Sequence, residues 1–192
     1  RTKTKIIVAT KKANCKGVLI IFIITKLSNK SKVQGFYYML KYINLDLLLT
    51  IMYTKILVIC TGNSCRSQMA EAYLRFFCKE ENINAEIFSA GIEAHGVNSK
   101  VIETLKEDQI DISQQTSNKI EDYINTGITH IITVCDHANE YCPIFSEKVM
   151  KTHKNFIDPT KATGSTETIN SAFKKTREEI KLFSKKYLTD NF

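Results

Sequence analysis

An apolar run that ends in a short polar loop and an amphipathic helix is the feature that most limits how this chain can fold. The run is Lys55–Cys60, the loop extends to Ser67 and contains Gly62, and the helix is predicted over 67–81. Further predicted strands lie at 85–89, 129–135 and about 151–156, and further predicted helices at 98–108, 117–125 and 166–188. This alternation predicts an α/β fold in which helices cover a parallel sheet.

Charge divides the chain into two parts. Residues 1–51 contain ten of the 27 Lys and Arg residues and one of the 20 acidic residues, so their formal charge is +9, whereas residues 52–192 carry −2. A length of 192 residues suits one ordinary domain. We interpret 1–51 as a basic extension that is not part of the native protein, and 52–192 as one catalytic domain beginning at Met52.

The six cysteines do not indicate a disulfide scaffold, because no export signal accompanies them. The apolar stretch 18–24 is much shorter than the roughly 18 residues of a membrane span, and the stretch 36–53 is interrupted by Lys41, Asn44 and Asp46. We therefore expect a cytoplasmic monomer that binds neither membrane nor nucleic acid.

The loop after the first predicted strand has the features of an oxyanion site. A loop that ends at a helix N-terminus directs free backbone N–H groups and the positive end of the helix dipole to one point. Gly62 permits a backbone conformation that most residues avoid, and Arg66 can hold two anion oxygens with its planar guanidinium. The predicted anion-binding residues are Thr61, Gly62, Asn63, Ser64, Cys65 and Arg66.

Cys60 is the candidate nucleophile in this loop. The same positive field favours a thiolate, so we predict a lowered pKa for Cys60. Ser67 is placed to donate a hydrogen bond to its sulfur, and Asn63 to brace the loop by bonds to its backbone. A structural cysteine at a strand end is the alternative for Cys60, and for Cys65 packing under the loop is at least as good an explanation as a redox role.

The residues of this loop and of several later segments resemble those of a known enzyme family. The segment CTGNSCRSQMAE at 60–71 resembles the phosphate loop of thioredoxin-coupled arsenate reductases, which are relatives of the low-molecular-weight tyrosine phosphatases. The likeness continues through SAGIE at 89–93, VCD at 134–136, Cys142-Pro143, Asp158-Pro159 and ATG at 162–164. It covers residues 52–192, and it implies a four-stranded parallel sheet flanked by helices, as in the low-molecular-weight phosphatases.

The resemblance also implies a role for each matching residue. Cys60 corresponds to the nucleophile, Arg66 to the anion clamp, Ser67 to the thiolate partner and Asp158 to the general acid. Cys135 and Cys142 correspond to a thiol relay that reduces arsenate to arsenite in arsenic detoxification. Phosphate and sulfate would compete with arsenate, reduced thioredoxin would be the electron donor, and no covalently bound cofactor is expected.

Three features of the sequence limit how far these roles can be transferred. Residues seven apart in a helix lie about 10 Å apart, whereas disulfide-bonded Cα atoms lie within about 7 Å, so 136–141 must be irregular or must rearrange. The family's potassium site would fall on Asn63, Glu71, Ser89 and Asn118, where Asn118 replaces a carboxylate and weakens the site. The segment HKNFIDP at 153–159 keeps one acid, Asp158, of the HWGFDDP of many relatives and lacks the neighbouring one.

Alternative functions remain open at this point. A low-molecular-weight tyrosine phosphatase shares the loop and the Asp-Pro pair but generally lacks the second cysteine pair, and a non-catalytic oxyanion-binding regulator is a third class. Cys135 and Cys142 could also be unrelated buried cysteines or half of a metal site. We expect the four histidines to be structural, although His137 could favour a thiolate at Cys135, and we expect Cys78 to lie in the core.

Overall fold

The computed structural model describes residues 54–145 and 148–192, all within the unit Tyr53–Phe192. The predicted extension 1–51 lies outside the described residues. Four strands form the sheet: β1 Thr54–Cys60, β2 Ala85–Gly91, β3 His130–Thr133 and β4 Met150–His153. The helices are α1 Arg66–Glu80, α2 Ser99–Lys106, α3 Asp136–Glu140 and α4 Thr166–Asn191, with single 3₁₀ turns at Ile120–Tyr123 and Pro159–Lys161.

All strand pairs are parallel and the order is β2-β1-β3-β4. The predicted parallel sheet flanked by helices is therefore confirmed. The chain moves outward from β1 to β2 and then returns to place β3 on the other side of β1. This reversal opens a crevice beyond the carboxyl ends of β1 and β3, where ligands bind in open α/β sheets.

The core is built on β1, whose residues Ile56, Leu57, Val58 and Ile59 are completely buried. An uninterrupted apolar run suits a central parallel strand, because helices cover both of its faces. The predicted apolar face of α4 is confirmed, since Phe173, Thr176, Ile180 and Tyr187 are all buried. Cys78 is also buried, as predicted. Among the described residues, no helix has both the length and the apolar character to cross a bilayer.

Three predicted elements differ from the structure. The helix predicted over 117–125 is only the 3₁₀ turn Ile120–Tyr123, because Asn118 bonds to Gly91 through its backbone oxygen and Lys119 forms a parallel bridge with Gly91. These contacts hold the start of the segment extended. Strand β4 ends at His153 rather than near 156. The segment 136–141 is predicted either to be irregular or to rearrange. It contains the α3 helix, so the prediction of an irregular segment is wrong.

Candidate active site

The loop between β1 and α1 is held open by bonds to its carbonyl groups. The segment after β2 donates backbone N–H bonds to the oxygens of residues 60, 61, 62 and 64, at distances of 2.8–3.2 Å. Gln68 Nε2 donates to the remaining oxygen, that of Asn63, at 3.0 Å. Every carbonyl from 60 to 64 therefore has a donor outside the loop, and the Asn63 N–H points at the Cys60 sulfur at 3.2 Å. This is the arrangement that binds a tetrahedral oxyanion.

Close approach of backbone atoms explains Gly91, whereas at Gly62 the neighbour is the His95 side chain. A Cβ on Gly91 would lie 2.2 Å from Glu93 O and 2.7 Å from Asn63 N, so only glycine fits between the loop and the segment that holds it. A Cβ on Gly62 would lie 2.5 Å from His95 Nδ1. The predicted reason for Gly62 is wrong, because the left-handed residue of the loop is Asn63, with φ of 42°. Asparagine tolerates this conformation better than most residues.

Cys60 lies at the end of β1, with 4% of its surface exposed. Its Sγ is 2.9 Å from Ser67 Oγ and accepts the Asn63 backbone N–H at 3.2 Å. Burial raises the pKa of the Cys60 thiol above its ordinary value, and the hydrogen bonds with Ser67 and from Asn63 act in the opposite direction. The predicted lowering of this pKa is therefore wrong in direction for the protein in this form, because desolvation outweighs the hydrogen bonds.

Asn63 donates to Ser67, which leaves the Ser67 hydrogen available to the Cys60 sulfur. The Asn118 backbone N–H can only donate, so the side-chain atom 2.8 Å from it is Asn63 Oδ1. The Asn63 amide then donates to Ser67 Oγ at 2.9 Å and to Ser89 Oγ at 2.8 Å. Since Ser67 accepts from Asn63, its own hydrogen is free to point at the Cys60 sulfur. Asn63 thus braces the site through Ser67, Ser89 and Asn118 rather than through bonds to the loop backbone.

Arg66 and Asp158 meet at the mouth of the loop. Arg66 Nη2 lies 2.8 Å from Asp158 Oδ2, and Nη1 donates to Phe156 O at 3.0 Å. Asp158 also caps the 3₁₀ turn that follows it by accepting from the Thr160 N–H at 3.0 Å. Each terminal nitrogen of Arg66 is therefore engaged through one N–H, so an anion is held by the three remaining N–H groups of the guanidinium or in exchange for these bonds.

The other two relay candidates lie on either side of α3. Cys135 follows β3, is 4% exposed, and has its Sγ 3.4 Å from Oγ1 of Thr61. A charge on Cys135 would raise the pKa of Cys60. Cys142 follows α3 and is half-buried, with its Sγ 3.6 Å from Pro143 O. The Nδ1 atom of His137 lies 3.5 Å from Thr61 Oγ1, and the centroid of its ring lies 4.6 Å from that of Tyr141.

The remaining loop residues take supporting places. Cys65 is buried at the start of α1, where desolvation raises the pKa of its thiol. This agrees with packing rather than with a reactive role. Thr61 and Ser64 are half-buried, and the Ser64 oxygen accepts from the Asn98 N–H at 3.0 Å.

The four residues suggested for potassium do not fit the ion in their present arrangement. Asn63 Oδ1 is occupied by the Asn118 N–H, and the Asn118 side chain bonds to Thr116 instead. Glu71 is buried, but its Oε1 accepts from Arg75 Nε at 2.9 Å. Glu71, Arg75, Ser89 and Asn118 all line one cavity of about 340 Å³. A guanidinium next to the only carboxylate of the set would repel a second cation.

Sequence reasoning missed two sets of contacts around the site. One is Arg75, which joins Glu71 of α1 to the backbone oxygen of Ile87 in β2. The other is a group of polar side chains around α3 that includes Asn155. Spacing i, i+4 signals the Glu71–Arg75 pair, but no local pattern signals contacts between residues far apart in the chain.

Comparison with known proteins gives consistent relationships. Residues 55–190 match the family described as low molecular weight phosphotyrosine protein phosphatase. The chain is 42% identical over 122 residues to an arsenate reductase of Halalkalibacterium halodurans and 41% identical over 122 residues to one of Bacillus subtilis. Each match covers 64% of this chain and 86% of the relative. It is also 45% identical over 122 residues to arsenate reductase 2 of Staphylococcus saprophyticus, with the same coverage.

Solved structures show the same fold. A low molecular weight protein tyrosine phosphatase from T. tengcongensis superposes with a TM-score of 0.60 at 24% identity, covering 71% of this chain and 99% of that one. An arsenate reductase in a phosphate-binding state gives 0.53 at 24% identity, covering 71% and 98%. A thioredoxin-dependent arsenate reductase from Corynebacterium glutamicum gives 0.53 at 21% identity, covering 72% and 64%.

Proposed function

The chain belongs to the low molecular weight phosphotyrosine protein phosphatase family and, within it, to the arsenate reductases, and from this premise we propose how its residues reduce arsenate to arsenite. The observation that carries the proposal is the position of Cys60 and Cys135. Cys60 ends β1, Cys135 comes two residues after the neighbouring parallel strand β3, and Thr61 contacts the Cys135 sulfur. A phosphatase needs one cysteine in this crevice, whereas a reductase needs a second thiol to take up the oxidation.

The first step is formation of a sulfur–arsenic bond. Arsenate enters the loop, Arg66 exchanges its bonds to Phe156 and Asp158 for the anion, and Cys60 attacks arsenic. Because burial favours the protonated thiol of Cys60, we propose that its proton passes to an arsenate oxygen. Asp158, released from Arg66, acts as the general acid that helps this oxygen leave as water.

The second step transfers two electrons. Cys135 attacks the sulfur of Cys60, a disulfide forms, and the electron pair of the broken sulfur–arsenic bond reduces arsenic from the +5 to the +3 state. Cys142 then attacks Cys135, which moves the disulfide to Cys135–Cys142 and frees Cys60. This exchange moves the disulfide but does not reduce it. An external dithiol must therefore reduce the Cys135–Cys142 disulfide before the next cycle.

We propose reduced thioredoxin as that dithiol, as in the name of the relative from C. glutamicum. Apolar side chains near Cys142 are exposed, including Tyr141 and Ile144, the latter at 91%. Such residues suit the apolar contacts of a transient protein partner. A reducing compartment keeps all three thiols free between cycles, so we place the protein in the cytoplasm, as a monomer without a resident cofactor.

Replacement of Cys135 tests the proposal. With thioredoxin and its reductase, Cys135→Ser should lose arsenate turnover by at least about 10³-fold, because the arsenic-bound sulfur has no thiol to attack it. The control is Cys78→Ser, which removes a buried thiol outside the site. Unchanged turnover in Cys135→Ser contradicts the relay. Efficient hydrolysis of p-nitrophenyl phosphate without arsenate turnover would instead establish the phosphatase activity of the family.

A further inference from the structure

The α3 helix keeps Cys142 from Cys135. Its backbone is closed by bonds from Asn139 N–H to Cys135 O at 3.2 Å and from Tyr141 N–H to His137 O at 3.1 Å. Cys135 is the N-cap of the five-residue α3 and Cys142 follows its C-cap, Tyr141, so a rise of about 1.5 Å for each of seven residues places their Cα atoms roughly 10 Å apart. This exceeds the reach of about 7 Å between the Cα atoms of a disulfide. If the proposed relay operates, α3 must unwind before these two cysteines can join.

Side chains from the sheet hold the first residue of α3 in place. Asn155 Nδ2 donates to Asp136 Oδ2 at 2.6 Å, and His153 Nε2 lies 3.1 Å from Asp136 Oδ1. Both carboxylate oxygens of Asp136 are therefore engaged by residues at or just beyond the end of β4. As the first acidic residue of α3, Asp136 also stabilises the helical form through the helix dipole.

A second set of bonds reaches the last turn of α3. Thr133 Oγ1 donates to Asn139 Oδ1 at 3.2 Å and lies 2.8 Å from His153 Nδ1. Thr133 and His153 are direct partners in the β3–β4 register. One network, the α3 latch, thus ties both ends of α3 to the sheet, and it consists of Thr133, Asp136, Asn139, His153 and Asn155.

We propose that the α3 latch restrains disulfide transfer, and that Asn155 and Asn139 are positioning residues for this step. The inference rests on the proposed relay. The step is attack of the Cys142 thiolate on Cys135 in the Cys60–Cys135 disulfide, which forms the Cys135–Cys142 bond and returns the electron pair to Cys60. The earlier Cys60–Cys135 bond does not need α3 to unwind, because Cys135 precedes the helix.

Contacts made only while α3 is helical stabilise the dithiol form over the disulfide. Removing one of them should raise both the rate of transfer and the equilibrium constant of Cys135–Cys142 disulfide formation. The Asn155 bond is short and goes to a carboxylate, which favours a large effect, but Asp136 is exposed and solvent weakens the bond. We expect about a threefold increase or more for Asn155→Ala.

An equilibrium measurement tests the latch without arsenate. The full-length protein and its Asn155→Ala and Asn139→Ala variants are equilibrated in glutathione redox buffers, free thiols are alkylated, and the Cys135–Cys142 disulfide is quantified by mass spectrometry. Both variants should form it at a lower ratio of oxidised to reduced glutathione than the parent. Asn191→Ala is the matched control, because Asn191 donates a bond of 2.7 Å to Tyr187 O on the distant end of α4.

A single turnover with arsenate supplies the kinetic readout. Conversion of the Cys60–Cys135 disulfide to Cys135–Cys142 should be faster in both variants, while formation of the first disulfide keeps the parent rate. A general loss of stability would not separate the two steps in this way. Equilibrium constants that stay unchanged or fall in both variants overturn the latch.

The same data separate the latch from the proposed function. If the Cys135–Cys142 disulfide forms in glutathione buffers but never with arsenate, arsenate reduction is wrong and the shift between variants still decides the latch. If this disulfide forms in neither experiment, both the relay and the latch are overturned.

Discussion

At the scale of single residues, the reactivity of Cys60 is a balance between burial and hydrogen bonding. Burial raises the pKa of its thiol, and Ser67 and the Asn63 N–H oppose that rise. Because Ser67 accepts from Asn63, its own hydrogen is free for the Cys60 sulfur, and a bond donated in that direction stabilises the thiolate. The nucleophile is therefore activated by fixed neighbours within a site that otherwise favours its protonated form.

Loss of the Ser67 hydroxyl should raise the pKa of Cys60 further. The pH at which Cys60 reacts with iodoacetamide should move upward in Ser67→Ala, and its alkylation rate at pH 7 should fall about tenfold, as expected for a lost hydrogen bond to a charged group. Peptide mass spectrometry distinguishes Cys60 from the other thiols. Ser64→Ala, which changes a loop serine that bonds through its backbone, should keep the parent profile. A Ser67→Ala profile that coincides with the parent's would refute this role.

At the scale of secondary-structure elements, Arg75 joins α1 to β2 close to the residues that support the loop. Arg75 of α1 pairs with the buried Glu71 and also bonds the Ile87 oxygen of β2, two residues before Ser89. Ser89 in turn accepts from Asn63. Arg75 therefore supplies the positive charge beside Glu71 within the cavity where potassium was expected.

Replacing potassium by choline at constant ionic strength should leave the melting temperature of the parent protein unchanged. Arg75→Gln should lower the free energy of unfolding by about 1–2 kcal/mol, because it leaves Glu71 buried without a partner, although Arg75 itself is half exposed. Potassium should restore part of that loss. Lys186→Gln, which breaks an i, i+4 pair exposed on both sides, is the control and should have little effect. A specific potassium dependence of the parent would contradict this view of Arg75.

At the scale of the whole molecule, α4 closes the fold by packing on α1 and α2. Arg177 of α4 is buried and donates to Thr104 O and Glu107, at 2.9 and 2.8 Å. Asp108 accepts from Tyr73 at 2.7 Å and from Lys181 at 2.6 Å. Desolvation acts to raise the pKa of Asp108, but these hydrogen bonds lower it overall. This contribution to stability is present above the ordinary Asp pKa of 3.8 and is lost as pH falls through the folded-state value.

Arg177→Met should lower the free energy of unfolding by about 2 kcal/mol, because it leaves the buried Thr104 oxygen without its donor. Urea unfolding at pH 7 measures the change. Lys174→Met removes another cation paired with Glu107, but an exposed one, and should change stability by less than about 0.5 kcal/mol. Equal effects of the two substitutions would mean that the buried bonds of Arg177 contribute no more than a surface pair.

Local pattern alone determined much of this protein. The apolar run of β1, the amphipathic face of α4 and the loop that joins β1 to α1 predict the sheet, its helices and the anion site, because such signals lie within neighbouring residues. The residues Cys60, Arg66 and Ser67 share that loop, so their proximity was predictable. Cys135 and Asp158 were assigned through resemblance, since nothing local relates them to position 60.

Only the tertiary structure decided the direction of the Cys60 pKa, the bonding of Asn63, the pairing of Arg75 with Ile87 and the contact of Asn155 with Asp136. Each depends on how elements distant in the chain come together. Desolvation of a thiol is set by everything packed around it, and a hydrogen bond between two loops depends on the register of the strands that carry them. Sequence patterns therefore identified the chemistry of the loop, and packing decided how strongly each of its groups is held.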